Sequence, residues 1–134
     1  EYEENESSTD ANYLGEVDEV SSLSGSDDTV SGLTLHHEGD EDWLWWWADD
    51  EWYDDVDVYV LAEGLSGGDF VIELYMEDGG SWVLQDSDSG KGTLSVNKEG
   101  DWASSDDDNW AIRVYATTWP VGSCSATYSL TIGS

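Results

Sequence analysis

Between clusters of Gly, Ser and Asp, apolar residues recur at every second position, and no stretch shows the three-and-four spacing of an amphipathic helix. Period two is the signature of strands, because successive side chains leave a strand on opposite faces. Val56, Val58 and Val60 share one such face, as do Phe70, Ile72, Leu74 and Met76. Trp110, Ile112 and Val114 alternate with Ala111, Arg113 and Tyr115, and Tyr128, Leu130 and Ile132 alternate with Ser129 and Thr131. Strands are expected over 29–36, 43–48, 56–62, 70–76, 82–85, 93–97, 110–116 and 126–132. Gly67-Gly68, Asp78-Gly79-Gly80, Ser89-Gly90 and Glu99-Gly100 supply turn positions tolerant of positive φ, and a hairpin is expected to join 70–76 to 82–85. The pattern predicts an all-β, jelly-roll-like antiparallel β-sandwich of about eight strands.

Residues 1–28 differ, being rich in Glu, Ser and Asp with only scattered apolar side chains such as Tyr13, Leu14 and Val17. They read as an extended acidic N-terminal arm, leaving 29–134 as the sandwich domain. No internal repeat or linker divides the chain further. The chain carries 32 Asp plus Glu against 3 Lys plus Arg, a formal charge of -29. Such a surface repels phosphate backbones and anionic lipid, so no nucleic-acid partner is expected. The apolar run 43–48 is far shorter than the roughly 18 residues a membrane helix needs, which excludes membrane insertion by a helix. With 38% hydrophobic residues, 9 Trp and 7 Tyr, the chain has enough apolar matter to fold with its charge outside. Unpaired carboxylates repel one another across about 10 Å in 0.1 M salt, so a saline or calcium-rich environment is expected. The chain begins at Glu1 with no basic and apolar leader, which reads as a mature, secreted protein. Its one cysteine, Cys124, allows no internal disulfide and reads as a buried small hydrophobe or an intermolecular link.

Several segments, taken in order, resemble one family. Residues 3–14 look like the "E-P-N-D-S...A..L" opening of the bacterial and archaeal pre-peptidase C-terminal (PPC) domain. Val30-Ser31-Gly32 and then Gly39-Asp40-Glu41-Asp42-Trp43 resemble its "v-x-G" strand and "G-D-x-D-W/Y" motif. Val56-Asp57-Val58-Tyr59-Val60 resembles its "l-D-l-y-L" strand, and the segments 110–115 and 126–132 resemble "Y-x-I-x-V...Y-x-L-x-V". The resemblance, which extends to the collagen-binding domains of clostridial collagenases, implies a jelly-roll sandwich without catalysis of its own, secreted beside a hydrolase. It also implies calcium, bound by Glu1, Glu3, Asn5 and Glu6 of the arm with Asp40 and Asp42 of the following loop. Glu4 stands where the family usually has Pro, and Glu6 where it usually has Asp or Asn. Oxygen-rich clusters of this kind suit Ca²⁺, which takes six to eight oxygens at about 2.3–2.6 Å. The alternative is that these acids are solvated, as the acidic loops 86–88 and 106–108 are expected to be.

The run Trp43-Leu44-Trp45-Trp46-Trp47, followed by Trp52 and Tyr53, is the second unusual feature. In a strand, Trp43, Trp45 and Trp47 lie on one face, and Leu44, Trp46 and Ala48 on the other. A small sandwich has little room for three Trp in a row, so one face is expected to be exposed or covered by a partner; the readings are a self-association surface, a sugar-stacking platform using Trp46, Trp52 or Trp102, or, against this, ordinary core. His36-His37 lacks a G-x-S-x-G elbow or an H-E-x-x-H partner, and no carboxylate pair stands out among so many, so the chain reads as a non-enzyme. The leading expectation is a calcium-binding extracellular structural subunit that self-assembles into a filament or surface polymer, its arm docking on an adjacent copy by strand addition or shared calcium. The second is an accessory module of a secreted hydrolase that holds collagen, polysaccharide or cell surface.

Overall fold

The computed structural model describes residues 12–18, 28–49, 58–98, 108–120, 122 and 125–133. Seven strands run in chain order: β1 (Asn12–Asp18), β2 (Asp28–Leu35), β3 (Glu41–Asp49), β4 (Val58–Asp78), β5 (Ser81–Lys98), β6 (Asp108–Thr118) and β7 (Ala126–Gly133). All pairings are antiparallel except that of β1 with β3.

Two of the strands change sheets halfway. The first half of β4 pairs with β7 (Tyr59↔Gly133 to Glu63↔Ser129), and its second half pairs with β6 (Asp69↔Thr118 to Met76↔Trp110). β5 follows β4 along both halves, from Asp78↔Ser81 to Val58↔Lys98. One sheet is therefore β1, β3, β6, the second half of β4 and the first half of β5. The other is β2, β7, the first half of β4 and the second half of β5. Without β1, and with β4 and β5 each counted as two strands, the sheets are ordered 2-7-4-5 and 1-8-3-6, the connectivity of a jelly roll.

The eight expected segments are thus present over their described residues, 56–57 lying outside these, but Gly67-Gly68 and Ser89-Gly90 are not hairpin turns. They lie inside continuous strands that bend. Gly64 and Gly67 take positive φ of 94° and 81°, which lets β4 kink with Leu65 still paired to Gly92. At Gly68 the backbones close in: a Cβ there would meet the Thr118 carbonyl oxygen at 2.3 Å. The hairpin expected at Asp78-Gly79-Gly80 is present, whereas Glu99-Gly100 lies outside the described residues.

The inward faces of the two sheets form one core in which Leu35, Leu44, Trp46, Phe70, Ile72 and Leu130 are fully buried. Parity decides who enters it, since β7 from Ala126 to Ile132 and each half of β4, Val58 to Ala62 and Phe70 to Leu74, bury every second residue, the alternation breaking between 62 and 68 at the kink. Part of the acidic arm also belongs to the sheet, because Asn12–Asp18 pairs along β3, from Asn12↔Leu44 to Asp18↔Asp49.

Candidate functional site

Parity splits the tryptophan run as the alternation requires. Leu44 and Trp46 enter the core, Trp46 directly opposite Trp110 of β6. Trp46 is fully buried, so it offers no ring face to a ligand, and the sugar-stacking role considered for it is corrected on that ground. The indole N–H groups of Trp46 and Trp110 are buried with no hydrogen-bond partner among the described residues.

Trp43, Trp45 and Trp47 point the other way, onto the outer face of the sheet containing β3, β6 and the second half of β4. Register builds rows across that face. Trp45, Ala111, Tyr75 and Leu84 form one, and Trp43, Arg113 and Glu73 the next. Ala111, between Trp45 and Tyr75, is fully buried although it faces outward. Trp43 is 9% exposed, its ring 5.1 Å from that of Tyr75 between centroids, while Trp45 and Trp47 keep part of their surface in water. Leu84, at 50%, extends the apolar ground toward β5.

A single guanidinium ties these rows together. Arg113 donates to Glu41 through Nε (3.2 Å) and Nη2 (2.6 Å), and to Glu73 through Nη1 (2.9 Å). Glu41 also accepts from the Trp43 indole at 2.9 Å, and Glu73 from the Tyr75 hydroxyl at 3.0 Å. The guanidinium carbon lies 4.2 Å from the Tyr115 ring centroid and 5.7 Å from that of Trp43, both within cation–π range. Burial pushes the Glu41 carboxyl up, but the bonds from Arg113 and Trp43 and the charge of Arg113 outweigh it and leave the pKa lowered. Burial and the Glu73 carboxylate together raise the Tyr75 phenol. For Arg113, burial opposes the charge, yet both carboxylates hold it on. The result is an outer face of rings edged by the carboxylates that Arg113 holds.

At one end of the core sit Asp40 and Asp42, which are 5% and 2% exposed. Asp42 shares parity with Leu44 and Trp46, so it faces inward, and it accepts a short bond from the buried Tyr128 hydroxyl. Asp40 accepts from the backbone N–H of His36 at 2.6 Å and closes the loop between β2 and β3. Both expected calcium ligands of this loop are therefore near each other in sequence, buried and hydrogen-bonded. Among the described residues no group of three His, Cys, Asp or Glu could hold a metal ion. Glu1, Glu3, Asn5 and Glu6, like Trp52, Tyr53, Trp102 and Cys124, lie outside the described residues.

Asp86 and Asp88, expected to be solvated, stay partly exposed and also cap backbone. Asp86 accepts from the N–H of Asn97 at 2.9 Å and Asp88 from those of Ser95 at 3.0 Å and Ser89 at 2.9 Å. The second half of β5 is the edge of its sheet, so these carboxylates seal donors that an edge strand otherwise presents.

No family model matches the chain, and no curated protein matches it in sequence. Solved structures do share its fold. The Yersinia pseudotuberculosis-derived mitogen is similar with a TM-score of 0.56 at 14% identity, covering 81% of this chain and 86% of that one. The pre-peptidase C-terminal domain of a Bacillus anthracis collagenase is similar with a TM-score of 0.51 at 16% identity, covering 91% of this chain and 93% of that one. The second likeness bears out a PPC-like fold for the chain.

Proposed function

We propose that this protein is a non-catalytic, secreted binding module that holds an extracellular polysaccharide or matrix protein on the outer face of the sheet containing β3 and β6. The observation that carries this reading is the aromatic face itself, with Trp43 and Tyr75 fixed by the Glu41–Arg113–Glu73 bridge and Trp45 and Trp47 beside them. Rings held in place stack on a ligand without losing side-chain freedom, and fixed carboxylates accept from its hydroxyl or amide groups. The shared fold with a collagenase domain supports an accessory role. The test is retention of the chain on insoluble cellulose, chitin and collagen, beside a variant carrying Trp45→Ala and Trp47→Ala. Retention of the parent on one of them, lost in the variant, is expected. A parent that binds none, or a variant that binds equally, refutes the reading.

Calcium belongs to the same proposal. Asp40 and Asp42 supply two carboxylates, fewer than the six to eight oxygens the ion takes, so Glu1, Glu3, Asn5 and Glu6 of the arm and water would complete the set. Calcium would tie the arm to the sandwich and neutralise part of the charge, as would a saline setting. Raised thermal stability in millimolar calcium, reversed by chelator, is the expected result.

A second reading, self-assembly into a filament or surface polymer, is favoured by β1. This segment of the arm is a strand added to an edge of the sandwich, the kind of element that can pair equally well with another copy.

A further inference from the structure

The sandwich has two sides, and its strand edges are treated differently on each. On one side β5 closes both sheets, and Asp86 and Asp88 seal the edge amides of Asn97 and Ser95. On the other side lie β2 and β3. The outer edge of β2 is broken by a bulge between Val30 and Leu33, where Gly32 takes a φ of 75°. Bulges and covering groups are the devices by which sheets refuse further strands. Among the described residues the β3 edge carries neither and is covered by β1.

β1 holds that place weakly. It is joined in parallel, which is slightly less stable per residue than antiparallel pairing. Its register shifts between Tyr13 and Glu16, which interrupts the ladder. Among the described strands it pairs with β3 and no other. Opening it therefore costs little compared with opening a central strand, and it bares the backbone of β3 along the tryptophan run.

We propose that the outer edge of β3 is a strand receptor whose occupant between molecules is β1 of a second copy of this chain, in the parallel register seen within one copy. The inference rests on the self-assembly reading and specifies it. Exchange creates the same hydrogen bonds as it breaks, so concentration and charge decide between the two states. Nine residues, 19–27, separate β1 from β2 in the sequence, and a chain of that length reaches at most about 30 Å, the order of distance an exchange with a neighbour requires. Because each copy gives one strand and receives one, the contact closes as a dimer or runs head to tail as a filament. Copies that each carry a charge of -29 approach only when it is screened, so exchange strengthens from about 0.01 M salt, where screening extends about 30 Å, to 1 M, where it extends about 3 Å.

The test uses full-length chains with Cys124→Ser. One carries Asp18→Cys and the other, isotopically labelled, Asp49→Cys. They are mixed in molar NaCl, mildly oxidised, and read by mass spectrometry without reductant. A labelled–unlabelled dimer joined through positions 18 and 49 is expected, with yield rising in proportion to concentration toward an effective concentration on the order of 1 mM. It should be absent when Asp18→Cys is mixed with a Ser89→Cys chain, whose thiol sits on β5. A yield no greater than that control overturns the exchange. Sedimentation of the unsubstituted chain in the same buffer separates the two readings: oligomers without the 18–49 link leave self-assembly standing and refute exchange, while monomers throughout refute both. A chain carrying both substitutions must close its own 18–49 disulfide when dilute. Failure to close removes the β1–β3 pairing and the proposal with it.

Discussion

Replacing Arg113 by Met tests whether one guanidinium holds the outer aromatic face together. Methionine keeps most of the apolar stem and removes the three bonds to Glu41 and Glu73. A buried hydrogen bond to a charged group contributes about 1.5–3 kcal/mol net. Arg113 and Glu41 are each 27% exposed and Glu73 15%, so water screens the bridge. Halving the figure for each carboxylate gives about 1.5–3 kcal/mol in all. The lost stack on Tyr115 adds about 0.5–1 kcal/mol. For a domain of this size the sum of about 2–4 kcal/mol corresponds to a Tm lower by roughly 6–14 °C. The pH dependence gives a second readout. The folded pKa of Glu41 is lowered, so its contribution is full above the unfolded carboxylate value of about 4.3 and drains as pH falls toward the folded value. Without Arg113, burial is opposed only by the Trp43 indole bond, so the Glu41 pKa rises relative to the parent and the variant loses less than the parent on acidification. Thermal unfolding followed by circular dichroism in 1 M NaCl should show the Tm gap narrowing as the pH falls below about 4.3. A gap of less than about 2 °C at neutral pH, or one that widens on acidification, would refute the bridge as the organising contact.

Tyr128→Phe should lower the unfolding free energy in urea by about 1.5–3 kcal/mol, because it leaves the Asp42 carboxylate buried and short of a donor; no change would mean the carboxylate is satisfied otherwise. Gly68→Ala should destabilise severely or prevent folding, since the Thr118 oxygen and, at 2.9 Å, Pro120 Cδ occupy the space a methyl needs; a soluble chain with the parental Tm would contradict the close approach. Asp86→Ala with Asp88→Ala should speed amide exchange at Ser95 and Asn97 by about 3- to 10-fold, from about 1 kcal/mol lost per bond, with unaltered exchange as the refuting result.

Period-two alternation made the strands legible, because burial follows parity along each half of β4 and along β7 from Ala126 to Ile132. Parity also placed Trp46 inside and Trp45 outside, and applied one step further back it places Asp42 inside with Leu44. An inward tyrosine in the series Tyr128, Leu130, Ile132 was the matching signal that a polar partner waited in the core. What parity does not carry is pairing. Gly67 reads equally as a turn or as a bend within a strand, and only the backbone of β5 running alongside decides for the bend. Nor does sequence say which of so many carboxylates Arg113 meets, since Glu41 and Glu73 become its neighbours only through the registers Trp43↔Arg113 and Glu73↔Arg113. The arm lacked alternation, so β1 was legible only as an extended segment.

The turn at Gly79-Gly80 has a kinetic consequence. β-sandwiches fold slowly because their contacts join residues far apart in the chain. Here β4 and β5 can zip from one turn outward, Asp78↔Ser81 first and Val58↔Lys98 last, and so create a strand of each sheet before any distant segment arrives. The remaining strands then add to a ribbon that already bends where the two layers must face. Gly79 and Gly80, with φ of 60° and 85° and open space around them, would act at the start of that sequence. Gly80→Ala should therefore slow refolding and leave unfolding nearly unchanged in stopped-flow chevrons. An effect confined to the unfolding arm would place the nucleus elsewhere.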